Sequence, residues 1–319
     1  MTHFLNTPAA RSLSIAQVLR LSDEEAFAVF QRVRFADNGG NPFCPHCGCA
    51  EVYTLAETPI RWKCAACRRK FSVTSGTIFH SRKLAIRDYL GVIALFCNGV
   101  KGTSSLQMSR DMNINPKSAF VLLHKLREAM GATVHDGEEL SGVVEVDGCY
   151  VGAAMRQPNR REDRPARRTE NPNRRVVVVA RERRGRAMTW VVTREGDGVY
   201  PIRQNVASGT EIHADEAAGW NVLHASYPMK RVNHSVEYKS DDGACTNQAE
   251  SFFSRLRRSE MGVHHRISGE LLLAYANECA WRENNRRLSN GSHWNLMTAA
   301  SLAAPKSARW TGYWHRSAA

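Results

Sequence analysis

The sequence predicts a multidomain protein in which helical and metal-binding modules precede an α/β domain. Three patterns support this: two cysteine pairs, a stretch of helical apolar spacing, and glycine-bounded β-branched runs from residue 142 onward. The 319 residues allow about two domains at roughly 100–200 residues each. The predicted segments are 1–38 (helical), 39–80 (metal ribbon), 82–135 (helix-turn-helix), 140–290 (α/β) and 291–319 (C-terminal tail).

The charge of the chain indicates a polyanionic partner. Lys and Arg number 44 against 31 Asp and Glu, which gives a formal net charge of +13. Most of these cations are Arg, whose guanidinium binds phosphate through two parallel hydrogen bonds. Nucleic acid is the simplest partner of this kind, and a merely soluble basic protein is the alternative. A hydrophobic content of 43% excludes a mainly disordered chain.

Several signals are missing from the sequence. It contains no run of 18 apolar residues, no secretory signal at its start and no GxxxxGK[ST] phosphate loop. These absences predict a cytoplasmic protein with no membrane partner and no nucleoside triphosphate site. The nine cysteines suit a reducing compartment better than a disulfide framework.

The cysteine pairs of residues 39–80 predict a structural zinc site. Cys44 and Cys47 form one CxxC turn, and Cys64 and Cys67 form another. Four thiolates close a tetrahedron around Zn²⁺ and leave no position open for catalysis. Because so short a segment has little core of its own, the metal supplies much of its folding energy.

Helix signals after the ribbon predict a helix-turn-helix. Residues 83–99 and 103–111 have helical spacing, with Thr103 or Ser104 as the cap of the second helix. Asn115-Pro116 then supplies an N-cap and a first-turn proline for a helix over 116–130. A plain helical linker is the alternative interpretation.

Basic side chains in three places are candidates for DNA contact. On the last of these helices they are Lys117 and Lys125. The same helix carries Ser118, His124 and Arg127, a polar set that matches the second helix of a helix-turn-helix. Beside the second cysteine pair they are Arg68 and Arg69, and in the Arg-rich loop 156–175 they are Arg160, Arg161, Arg167 and Arg168. A purely solubilising loop is the alternative for that segment. The C-terminal tryptophans are predicted to pack in a core or against a partner subunit.

Three acids predict a metal-dependent catalytic site. Asp147 lies inside the run VVEVDGCYVG, Asp215 closes the apolar run TEIHADE, and Glu250 lies on an amphipathic helix. Carboxylates at neighbouring strand ends and on a packing helix can hold two Mg²⁺ ions ~4 Å apart for phosphodiester chemistry. For each acid alone, a solvated or helix-capping carboxylate is the alternative. Glu145 shares a sheet face with Asp147 and is a candidate supporting group.

The chain resembles bacterial insertion-sequence transposases of the zinc-ribbon type with an RNase H-like DDE catalytic (integrase-like) domain. The resemblance covers roughly residues 20–315 and rests on CPHCG, WKCAACRRKFSVTSGTIF, VEVDG, HADE and CTNQAESFFSRLRRSEMGVHHRIS. It implies a mixed five-stranded sheet flanked by helices within residues 140–290.

The resemblance also implies roles for single residues. Asp147, Asp215 and Glu250 match the catalytic acids of the family, which hold two Mg²⁺ (or Mn²⁺) ions. Arg257 lies two helical turns after Glu250 and matches a basic residue that faces a phosphate near these ions. Asn247 is the rival or helper for the third position, because some relatives use Asn there. Glu250 is preferred since a carboxylate binds Mg²⁺ more strongly than an amide does.

These interpretations predict a DNA transposase. It would bind the terminal inverted repeats of an insertion sequence, cleave a strand with Mg²⁺ and join the freed end to target DNA. Its partners would be double-stranded DNA and further copies of itself, and DNA-bound molecules would associate with the nucleoid. The alternatives are a DNA-binding regulator with an inactive catalytic domain and a nuclease that hydrolyses DNA without joining it.

Overall fold

The chain passes from a first unit into a second unit and then back again. The computed structural model describes residues 4–56, 58–151, 174–232 and 243–316. The first unit combines Met1–Ala132 with Arg287–Ala319, and the second unit is Thr133–Arg286. Within the described ranges, no helix is long and apolar enough to cross a membrane.

Helices and strands alternate in blocks along the chain. The α-helices are α1 (Ile15–Leu19), α2 (Asp23–Arg34), α3 (Ile86–Asn98), α4 (Ser105–Asp111), α5 (Pro116–His135), α6 (Val199–Asn205), α7 (Asn247–Ser259), α8 (Leu272–Asn284), α9 (Asn290–Ala303) and α10 (Tyr313–Arg316). The strands are β1 (Val52–Leu55), β2 (Thr58–Cys64), β3 (Lys70–Ser72), β4 (Val143–Val151), β5 (Arg175–Glu182), β6 (Ala187–Val192), β7 (Glu211–Asp215) and β8 (Met229–Val232). Short 3₁₀ turns include Glu195–Gly198 and Ala218–Ala225, and a π-helical turn, Glu260–His264, follows α7.

Local capping fixes where the helices of the first unit begin. The Ser22 hydroxyl accepts a hydrogen bond from the Glu25 N–H at 3.2 Å, and the Glu25 carboxylate accepts one from the Ser22 N–H at 2.8 Å. This reciprocal capping box starts α2. Ser104, rather than Thr103, caps α4 by accepting a helix N–H at 3.1 Å. Helix α5 begins at Pro116, as the sequence predicts.

The ribbon is a three-stranded antiparallel sheet that shares its core with α2. The strand order is β1-β2-β3. Trp62 of β2 is buried, and its ring centroid lies 5.6–5.8 Å from those of Phe27, Phe35 and Phe71. Because Phe27 belongs to α2, the aromatic core of the ribbon extends beyond the segment 39–80 that the sequence predicts.

The predicted C-terminal tail is part of the first unit. Helix α9 packs against α2 and α3, and the Trp294 indole N–H donates to the Leu90 carbonyl at 3.1 Å. Trp310 is buried, and its ring stacks on His124 with centroids 4.4 Å apart. Core packing of these tryptophans is what the sequence predicts, whereas Trp314 is exposed.

Two of the polar side chains that the sequence places on the predicted recognition helix, α5, are buried. His124 is 0% exposed because the C-terminal segment covers it, and Arg127 is 2% exposed. The Arg127 guanidinium lies 5.5 Å from the Phe96 ring centroid and donates to the Thr103 carbonyl at 3.4 Å. Both side chains therefore belong to the core of the first unit. Helical periodicity alone could not show that residues far along the chain bury this face.

The second unit contains the mixed five-stranded sheet that the family resemblance implies. Its order is β6-β5-β4-β7-β8. β4 pairs with β5, and β5 with β6, in antiparallel fashion, whereas β4, β7 and β8 run parallel. In the β4–β7 pair Glu145 lies opposite His213, and Val146 lies opposite Ala214.

The sheet has helical elements on both faces. On one face Val144, Val146 and Ala214 join residues of α6 and Trp220 in a buried apolar cluster. The alternate residues of β4, including Glu145 and Asp147, point to the opposite face, where α7 and α8 pack. The polar face of β4 is thus directed toward the helix that carries Glu250.

Candidate active site and zinc site

The four predicted zinc ligands come together in the ribbon. Their sulfur atoms all lie within 4.8 Å of one another, with 3.6 Å between Cys44 and Cys67 and between Cys47 and Cys64. A tetrahedron with Zn–S bonds of about 2.3 Å requires S···S separations of about 3.8 Å. The cluster therefore fits a structural zinc ion.

A backbone hydrogen bond favours the thiolate form of Cys64, one of the four predicted ligands. The Cys67 N–H donates to the Cys64 sulfur at 3.4 Å. This hydrogen bond is the largest of the effects that lower the pKa of the Cys64 thiol to about 6. Because a thiolate is the form that binds metal, the turn favours the ligand state at neutral pH.

The two aspartates of the candidate active site follow paired residues on neighbouring parallel strands. Val146 pairs with Ala214, so Asp147 and Asp215 take the next position on β4 and β7. Alternation along each strand directs both side chains to the face where α7 packs. The Gly148 N–H donates to Asp147 Oδ1 at 2.7 Å, and the Ala217 N–H donates to Asp215 Oδ1 at 3.2 Å.

Glu145 anchors the helix that carries the third acid. It is 0% exposed, and its carboxylate accepts hydrogen bonds from the Gln248 N–H at 2.8 Å and the Ala249 N–H at 3.3 Å. The first turn of a helix leaves such donors without partners, and its positive end favours an anion. Since β4 carries both Glu145 and Asp147, one strand presents Asp147 and also fixes the start of the helix that holds Glu250.

Arg183 balances the buried charge of Glu145. Its Nε lies 3.2 Å from Glu145 Oε1, and its Nη2 lies 2.9 Å from His213 Nδ1. His213 Nδ1 also accepts the Cys245 N–H at 3.1 Å, and the opposite ring nitrogen lies 2.7 Å from Glu211 Oε1. This network connects the segment that leads into α7 with β4 and β7.

The three predicted acids share one electrostatic environment. Burial, and after it the nearby carboxylates of Asp215, Glu195 and Glu250, together raise the pKa of Asp147 to about 7, although the hydrogen bond from the Gly148 N–H lowers it. The acids of β7 and α7 are therefore close enough to Asp147 of β4 for their charges to act on it.

Glu195 is a fourth acid near Asp147 and Asp215, and the sequence did not predict it. It begins the turn Glu195–Gly198 after β6. Burial raises its pKa to about 7, with a further contribution from Asp215. The run EGDG resembles an ordinary surface turn. A glycine inside a buried strand often marks a place where another group approaches the backbone closely. Gly148 could therefore have indicated that a side chain from elsewhere in the chain lies against β4.

The donor set fits a hard divalent cation. It consists of carboxylate oxygens, which Mg²⁺ prefers, and no ion pair in the described part of the chain involves Asp147 or Glu195. Among those residues only the four cysteines bring three or more ligand atoms within 4.8 Å of one another. The carboxylates of the candidate active site are thus more widely spaced than the four sulfur atoms of the zinc site.

Two further predicted site residues lie on α7. The Arg257 guanidinium Nη2 lies 2.9 Å from the Cys149 sulfur, two residues after Asp147 on the same face of β4. Asn247 is the first residue of α7 and is exposed. Glu250, one turn later, is partly buried, and its charge acts on Asp147.

The described candidates for DNA contact are all in the first unit. Arg68, Arg69 and Lys117 are exposed, and Lys125 is partly buried. Burial lowers the pKa of Lys125, and the Lys117 ammonium lies 5.3 Å from the Trp314 ring centroid. The loop candidates lie outside the described residues: Arg160, Arg161, Arg167 and Arg168.

Two family models match the chain. The ISXO2-like transposase domain matches residues 139–284, and the transposase zinc-ribbon domain matches residues 21–70. The first match covers β4 to α8, including the four acids described above, and the second covers α2 and the four-cysteine cluster.

Individual relatives are more distant. An uncharacterized protein in transposable element ISH50 of Halobacterium salinarum is 26% identical over 149 residues, which is 46% of this chain and 47% of that protein. The match thus spans about half the length of that relative. The Mos1 strand transfer complex aligns with 67% of this chain and 78% of its own at 9% identity, with a TM-score of 0.26. A pre-cleavage Mos1 transpososome gives the same coverage and identity with a TM-score of 0.24.

Proposed function

Since this chain belongs to the insertion-sequence transposases with a zinc ribbon and an ISXO2-like DDE domain, we propose that it cuts and joins DNA. The reacting site comprises Asp147, Asp215 and Glu250. The observation that supports this most directly is the strand pairing that sets Asp147 beside Asp215, together with the Glu145 contacts that hold the start of the Glu250 helix on the same strand. Folding thus brings negative charge from β7 and α7 close to Asp147, and a cation is favoured at such a place.

Residues of this chain would bind the metal ions and position the DNA. Asp147 and Asp215 supply oxygen ligands from rigid strands, and Glu250 supplies a third from α7. Paired Mg²⁺ or Mn²⁺ ions, when bound there, activate the attacking oxygen and stabilise the leaving oxygen. Arg257 faces the same strand and is suited to hold a DNA phosphate. Asn247 is the alternative third ligand.

The chemistry would take place in two phosphoryl transfers. In the first, water attacks the phosphorus at the element end, a P–O bond to water forms, and the bond to the 3′ oxygen breaks. In the second, the freed 3′-hydroxyl attacks a target phosphodiester, loses its proton, and displaces another 3′ oxygen. Each step exchanges one P–O bond for another, so the sequence of steps requires no nucleoside triphosphate.

The first unit would hold the element ends. Its ribbon presents Arg68 and Arg69, and its helix-turn-helix presents Lys117 and Lys125. Such side chains bind phosphate and release counterions, which makes the binding salt-dependent. Because two ends must be held together for joining, we propose that the chain works as an oligomer on DNA.

A precut element end tests the proposed reaction. Wild-type protein with Mg²⁺ is expected to nick an uncut labelled end and to join a precut end to plasmid DNA. Asp147→Asn should abolish both products, whereas the matched control Glu216→Gln, an exposed acid next to Asp215, should leave both unchanged. DNA binding without either product would instead indicate a regulator with an inactive domain, and nicking without joining would indicate a nuclease.

A further inference from the structure

Glu195 occupies the space that a side chain at residue 148 would fill. A Cβ added to Gly148 would lie 2.2 Å from Glu195 Oε1 and 3.0 Å from its carboxyl carbon. Real Cβ atoms essentially never approach other atoms so closely. The carboxylate therefore lies over the backbone of β4 at residue 148, on the face of Val146, and it can do so because residue 148 is glycine. The N–H of the same glycine donates to Asp147 Oδ1 at 2.7 Å, so both carboxylates lie against residue 148.

The turn that carries Glu195 is held firmly on the sheet. The Arg194 N–H donates to the Asp197 carboxylate at 2.9 Å. A Cβ on Gly198 would lie 2.9 Å from a methyl carbon of Val178 on β5, so the turn backbone packs directly against the sheet. The position of the Glu195 carboxylate is thus set by the fold, unlike that of a side chain on an open loop.

Charge makes this placement costly unless something compensates for it. Glu195 is partly buried, acts electrostatically on Asp147 and is itself acted on by Asp215. No ion pair within the described ranges involves it. An anion held at such a position requires an opposite charge that these residues do not supply.

We propose that Glu195 is a fourth metal-binding acid of the DDE site, admitted to it by Gly148. The inference rests on the proposed function, since it assigns Glu195 to the cations held by Asp147, Asp215 and Glu250. With Glu195 the site has four carboxylates, whose combined charge balances that of two divalent ions. With three carboxylates the pair of ions would retain an excess positive charge.

Metal titration of the full-length, zinc-loaded chain tests the proposal without measuring activity. The probe is Mn²⁺, with free ion counted by electron paramagnetic resonance, and the variant is Glu195→Gln, which keeps the size of the side chain. We expect Mn²⁺ affinity to fall about 10- to 100-fold. Glu216→Gln is the matched control and should bind as the wild type does.

A second measurement separates a metal ligand from a structural residue. Without added divalent ion, Glu195→Gln should unfold at the same temperature as the wild type or higher, because one repelling charge is gone. With Mn²⁺ its thermal stabilisation should be smaller than that of the wild type. A purely structural role would lower stability in both conditions, and this result would overturn the proposal.

Gly148→Ala provides an independent variant. The new methyl group should displace the Glu195 carboxylate, lower Mn²⁺ affinity, and add little when combined with Glu195→Gln. Wild-type Mn²⁺ binding in a folded Glu195→Gln or Gly148→Ala protein would overturn the proposal. If Asp147→Asn still loses Mn²⁺ in that case, the proposed function survives without Glu195. If the wild type binds no Mn²⁺, both proposals fail.

Discussion

Replacing Glu145 with Ala should detach the start of α7 from the sheet. The change leaves the N–H groups of Gln248 and Ala249 without their acceptor, and it leaves Arg183 without its carboxylate partner. Removing one partner of a buried pair costs about 3–5 kcal/mol. Because the Arg183 side chain is 30% exposed, water compensates in part, and we expect a cost of about 3 kcal/mol.

Hydrogen exchange can locate this loss at the two amides concerned. A cost of about 3 kcal/mol corresponds to roughly a 100-fold decrease in the protection of Gln248 and Ala249. Glu145→Gln keeps an oxygen acceptor and should lose less protection. Glu139→Ala, which removes an exposed acid from the same unit, should lose none. Unchanged protection of both amides in a folded Glu145→Ala protein would refute the anchoring argument.

Three other perturbations have defined outcomes. Cys64→Ser should lose bound zinc and unfold the ribbon, whereas Cys49→Ser, outside the cluster, should retain zinc by elemental analysis; equal zinc contents would contradict the ligand assignment. Because the pKa of Asp147 is raised from 3.8 to about 7, folded protein binds more protons than unfolded protein between these values, so without added divalent ion the melting temperature should fall as pH rises from about 4 to 7. Asp147→Asn should weaken that dependence, and an unaltered pH profile would argue against the raised pKa. Trp310→Ala removes the ring stacked on His124 and should cost about 3 kcal/mol in urea unfolding, a prediction that a change below about 1 kcal/mol would refute.

The sequence predicted those features of the site that depend on local pattern. A β-branched run fixes the strand around Asp147, and parallel pairing brings Asp215 to the neighbouring strand, so their approach follows from strand order. The spacing of the cysteine pairs likewise predicts the zinc cluster, since each CxxC turn defines two ligands.

Features that depend on distant packing could not be predicted. Glu195 lies in a short turn whose sequence contains no recognisable motif. Its position over Gly148 depends on how the chain folds. His124 and Arg127 have the residue types and spacing of DNA contacts, yet segments elsewhere in the chain bury them. Hydrophobic periodicity describes a helix by itself and contains no information about what covers its polar face.

The return of the chain to its first unit has a consequence for the order of folding during synthesis. The second unit is complete once residue 286 has been made, but the first unit still lacks α9 and Trp310. The five-stranded sheet can thus form on the ribosome before the first unit is complete. The N-terminal segment is made earlier, but it can finish folding only after residues 287–319 have been made. A protein truncated after α8 would keep the acids proposed to be catalytic and would lose a structural part of the unit proposed to hold DNA.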